Sequence, residues 1–69
     1  MKKILIKLKE PVEGQKQFEF TSEYSDLSNQ IALAREKAKM FSVSNIDSVH
    51  LTFGNNGKLL NITEMILSD

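Results

Sequence analysis

Near its start the chain alternates apolar and polar side chains. Ile4, Ile6 and Leu8 fall on one side and Lys3, Leu5, Lys7 and Lys9 on the other, a period of two that predicts a half-buried strand. Glu10-Pro11-Val12-Glu13-Gly14 breaks the alternation. Proline fixes φ there and glycine permits φ > 0, so the segment predicts a turn. Residues 15–21 resume the pattern with Phe18 and Phe20 on one face. A hairpin closed over residues 10–14 sets Lys9 against Gln15, Leu8 against Lys16, Ile6 against Phe18 and Ile4 against Phe20. On the other face Lys7 meets Gln17 and Leu5 meets Glu19. A slip of one residue places both phenylalanines among lysines, so the register is strongly specified.

The period then changes. Ser25 and Asp26 are good helix starters, and Leu27, Ile31, Ala34, Ala38 and Phe41 follow at the spacing of an amphipathic stripe. Arg35, Lys37 and Lys39 crowd the C-terminal end, where the helix dipole favours positive charge. Alternation returns over residues 46–53, with Val49, Leu51 and Phe53 inward and Ser48, His50 and Thr52 outward. Asn56-Gly57 is a strong hairpin signal. It pairs Phe53 with Leu60 and Leu51 with Ile62, and it also sets Val49 against Glu64, a misfit on a core face. Either the ladder bulges near Thr63, or the turn is Asn55-Asn56 and the pairing moves. Met65-Ile66-Leu67 extends the fourth strand or forms a helical turn.

These elements predict an α+β domain over residues 1–69, β-β-α-β-β, with one helix on one face of a four-stranded sheet. Central strands are usually the apolar ones. Counting the tail as strand makes the first and fourth strands the most apolar, which gives the order 2-1-4-3; the alternative is 2-1-3-4, fully antiparallel. In its order of elements along the whole chain, the first arrangement resembles the β-grasp of small bacterial immunoglobulin-binding domains. The resemblance rests on no sequence motif, so no binding residue follows from it.

Composition narrows the function without naming it. Nine basic and nine acidic residues cancel, so no global field draws the chain to nucleic acid or anionic lipid. The absence of cysteine excludes disulfides and thiolate metal sites. The apolar run at the N-terminus stops at Lys7, too short for a signal peptide, and no stretch approaches a membrane span. The cytoplasm is the expected location. The one histidine, His50, alternates onto the outward side of its strand with no nucleophile beside it. Glu10 and Glu13 are too few for a calcium cage. Gly14, Gly54 and Gly57 belong to hairpins and do not lead into the helix, so no phosphate loop is present. No cofactor, metal, small-molecule substrate or enzymatic activity is expected.

A non-enzymatic protein-interaction module is what remains, with the size of an adaptor or inhibitor such as a phage or mobile element encodes. Its partner is another protein or a second copy of the chain. On a helical wheel Leu33 and Met40 lie more than about 100° from the core stripe and stack on one side. Leu5 and Leu59 form a second apolar pair on the open sheet face, adjacent if the first and fourth strands are neighbours. The alternative is a nucleic-acid-binding module in which Lys3, Lys7 and Lys9 contact phosphates. That reading is weakened by the lack of an aromatic stacking platform on the open face.

Overall fold

The computed structural model describes residues 2–53 and 57–68. Strands β1 (Lys2–Val12) and β2 (Gln15–Ser22) lead into helix α1 (Leu27–Ala38). A 3₁₀ turn at Val43–Asn45 then precedes β3 (Ile46–Phe53), β4 (Lys58–Asn61) and a short helix, α2 (Thr63–Leu67). The four strands form one sheet, order β2-β1-β3-β4, with every neighbouring pair antiparallel.

The first hairpin has the register its side chains demand: Ile4 pairs with Phe20, Leu5 with Glu19, Ile6 with Phe18 and Lys7 with Gln17. Beyond Lys7 it departs from the sequence reading. β1 runs on to Val12, which pairs with Gln15, and the register shifts between Lys7 and Val12. The turn is therefore Glu13-Gly14, not residues 10–14. Both turn residues have positive φ, 52° and 80°, as a two-residue type I′ turn requires. Pro11 is tolerated within β1 because it lies in the shifted stretch, where the β1–β2 ladder is broken.

The order 2-1-4-3 is not found, and the β-grasp resemblance falls with it. β3, not β4, lies beside β1, pairing Ile4 with Leu51 and Ile6 with Val49. The reason lies in the tail. Met65, Ile66 and Leu67 belong to α2, so β4 keeps only Lys58-Leu59-Leu60-Asn61 and is the more polar strand. β3 is the apolar one, with Ile46, Val49 and Leu51 buried, and it takes the central place. The second hairpin pairs Phe53 with Lys58 and Leu51 with Leu60, two residues away from the Asn56-Gly57 register. It is the pairing that an Asn55-Asn56 turn gives, although both proposed turns involve positions outside the described residues. Glu64 is no longer a misfit: it is exposed on α2.

Two side chains finish the ladders where strands run out. Asn45 accepts a hydrogen bond from the Glu10 N–H at 2.8 Å and donates to the Glu10 carbonyl at 3.1 Å, standing in for a strand residue beside β1. At the other side of the sheet the Val49 N–H donates to Thr63 Oγ1 at 2.9 Å, and the Val49 carbonyl accepts from Ile62 N–H at 2.9 Å. Backbone groups that would otherwise be orphaned are thus satisfied.

α1 starts at Asp26, whose carboxylate accepts from the Asn29 N–H at 3.1 Å and from Asn29 Nδ2 at 2.8 Å. The helix buries the line Gln30, Ala34 and Ala38 at the four-residue spacing that shares a face. Leu27, Ile31 and Leu33 flank that line, half-buried. Small alanines allow close approach to Ile4, Ile6, Val49 and Leu51, all fully buried. Ile62 and Ile66 complete the same core from the tail. Gln30 is fully buried in this apolar layer, and its amide oxygen and nitrogen have no hydrogen-bond partner among the described residues.

An unsatisfied buried amide costs about 1–3 kcal/mol. Gln30→Met, similar in shape and without the amide, should therefore raise the melting temperature, by roughly 4–8 °C per kcal/mol recovered; a lower melting point contradicts the assignment. Acid stability offers a second check. The Asn29 side-chain amide, and then its backbone N–H, hold the Asp26 carboxyl below its ordinary 3.8. A carboxyl depressed by folding stabilises the fold above its unfolded value, and that contribution is lost as pH falls through the lower folded value. Asp26→Asn still caps the helix but does not titrate, so pH-dependent unfolding curves should show a shallower loss below about pH 4.

Candidate functional site

α1 packs on β1 and β3 and against α2, so one sheet face is covered and the other is open. Cross-strand pairing arranges the open face in rows. Glu19, Leu5, His50 and Asn61 form one row across all four strands, and Gln17, Lys7 and Ser48 form the next. Leu59 sits opposite Thr52, beyond His50. Leu5 is half-buried by its neighbours, whereas Leu59 is 57% exposed. Because β3 separates β1 from β4, Leu5 and Leu59 are not adjacent; they are two apolar positions on one face with β3 residues between them.

The face is weakly charged. Lys3 Nζ lies 3.7 Å from Glu19 Oε2, both side chains about half exposed, so one of the candidate phosphate-binding lysines already has a carboxylate beside it. Lys7 and Lys9 are exposed. Phe18 and Phe20 turn to the helix side, where the Phe18 and Phe41 rings are 5.0 Å apart and Lys37 Nζ sits 5.4 Å from the Phe20 ring centre. Tyr24 is exposed but lies past the end of β2. Among the described residues the open face carries no Phe, Tyr or Trp ring. His50 is half-buried there and its Nδ1 atom has no hydrogen-bond partner among the described residues; its cross-strand neighbours are Leu5 and Asn61, neither of them an acid or a nucleophile. No group of three or more His, Cys, Asp or Glu side chains suited to a metal occurs among the described residues, and no helix among them is long and apolar enough to cross a membrane.

The helix-side pair does not assemble. Leu33 packs against the core. α1 ends at Ala38 with Lys39 as its C-cap, and Met40, 66% exposed, lies in the turn beyond it, donating to the Lys37 carbonyl at 3.1 Å. The wheel that stacks Leu33 under Met40 carries the helix to Phe41, three residues past its end at Ala38.

The sequence reading missed a second apolar region. A cleft of about 240 Å³ opens between α1, the 3₁₀ turn and α2, with Val43, Ile66 and Leu67 in its wall and Arg35 and Lys39 at its rim. Arg35 Nη2 donates to the Met65 carbonyl at 3.3 Å across this join. Val43 and Met65 are both exposed. The signal lay in Met65-Ile66-Leu67, which reads as a strand only if the tail stays in the sheet. Comparison with protein-family models, curated proteins and solved structures finds no match.

Leu33 and Met40 should respond differently to the same change. Leu33→Asp places a charge in the half-buried flank of the helix and should cost about 2 kcal/mol or more, while Met40→Asp should fall within about ±0.5 kcal/mol. Thermal denaturation of the two single variants measures both, and equal effects contradict the placement.

Proposed function

We propose that the chain is a small non-enzymatic interaction module, an adaptor or inhibitor, that meets a protein partner through its open sheet face. The observation that carries this reading is the uncovered face itself: a four-stranded layer with exposed Leu59, half-buried Leu5 and exposed Lys7, over which none of the described elements packs. An antiparallel sheet tolerates water on one face, and here polar residues surround the two leucines. Direct recognition of single-stranded nucleic acid gains less support. Lys3 is paired with Glu19, and among the described residues the half-buried His50 imidazole is the one aromatic ring on this face on which a base could stack.

Affinity capture from the source cell with wild-type and Leu59→Glu protein tests the reading. The side chain is exposed, so the variant should fold normally. Loss of a specific co-purifying protein with Leu59→Glu, and its retention with Met40→Glu, is the expected result. Equal capture by all three removes the open face as the contact surface. Micromolar, salt-dependent binding of a single-stranded oligonucleotide would replace the protein-partner reading with a nucleic-acid one.

A further inference from the structure

The two edges of the sheet are not alike. β4 is four residues long and begins with Lys58, the short, charged form in which exposed edges are usually blunted. β2 is eight residues long, Gln15–Ser22, with no proline, and β1 is the only strand paired with it among the described residues. Its inner face is incompletely covered: α1 lies over β1 and β3, leaving Phe18 and Phe20 only partly buried.

The backbone groups at this edge can be assigned by alternation. The Val49 N–H and carbonyl face Ile62 and Thr63, away from β1. Neighbouring His50 therefore turns its backbone to Leu5, its partner on β1. Ile4 and Ile6 then turn theirs to Phe20 and Phe18 on β2. The amides of Gln17, Glu19 and Thr21 are left pointing to the free edge.

We propose that β2 pairs antiparallel with β2 of a second copy across a two-fold axis at Phe18, joining two sheets into one. Side chains that meet in such a pair must share a face, so the axis must pass through a residue. At Lys16 or Glu19 it sets like charges against each other. At Phe20 it pairs only residues 18–22, and at Phe18 it pairs 15–21, all within β2. The Phe18 register places Phe18 against Phe18, the Lys16 stem against Phe20, and Gln17 against Glu19. It aligns the outward backbone groups of Gln17 with those of Glu19 and adds cover to the partly buried phenylalanines. This inference does not rest on the open-face reading, since the joined sheet keeps that face free.

Gln17 provides a test in which dimer and fold move in opposite directions. Within one chain Gln17 faces Lys7; across the proposed axis it faces Glu19. Gln17→Glu should therefore strengthen the monomer fold and weaken the dimer, and Gln17→Lys should do the reverse. With two symmetry-related pairs per dimer, each variant should shift the dissociation constant roughly 2- to 30-fold. Sedimentation equilibrium gives the association constants and thermal melts of dilute protein give the fold stabilities. Amide exchange at increasing concentration should show new protection at Gln17, Glu19 and Thr21. A chain that stays monomeric to millimolar concentration overturns the proposal. So does a dimer indifferent to both variants, or one that leaves those amides unprotected.

Discussion

β1 is paired along both edges and buried on one face, and the other elements take their places from it. Ile4 and Ile6 are fully buried, each set between an apolar residue of β2 and one of β3. Full burial of such a side chain stabilises by about 1.5–3 kcal/mol, a large share of the total for a chain this short. The two pairings share one parity, so neither neighbour can slip by a residue without turning its apolar set to water. α1 then has one face to cover, and its alanines let it lie close.

That one-sidedness shapes the surfaces available for interaction. The uncovered face is polar with isolated leucines, and it ends in a long plain edge at β2 and a short one at β4. Asn45 and Thr63 close the ladder at points where β1 and β3 have no strand beside them. No comparable device shields Gln17–Thr21 among the interactions described. A face-directed contact and an edge-directed contact use separate groups of the same sheet, so they are compatible.

The first hairpin was legible because only one register keeps its phenylalanines with its isoleucines. The second was not, because Leu51 finds an apolar partner in either Leu60 or Ile62. Its register follows from the fate of the tail: Ile62 leaves the sheet to enter the core with Ile66, and Thr63 N–H donates to Asn61 Oδ1 at 2.9 Å as the chain turns. A helix as short as α2 shows too little of the 3.6-residue period to be read, and mistaking it for strand produced the wrong strand order. Most of the helix stripe was legible, with Ala34 and Ala38 buried and Leu27 and Ile31 half-buried, but the buried Gln30 gives no apolar signal and Phe41 lies past the helix end. The candidate site fared less well. The Leu33–Met40 pair depended on where the helix ends, and the Leu5–Leu59 pair on which strands are neighbours.

Amide exchange in β3 and β4 tests most directly which strand lies beside β1. A strand flanked on both sides protects successive amides, and an edge strand protects alternate ones. The order β2-β1-β3-β4 predicts unbroken protection over residues 48–51 and alternation over residues 58–61. Alternation in β3 with unbroken protection in β4 would contradict it, placing β4 at the centre of the sheet.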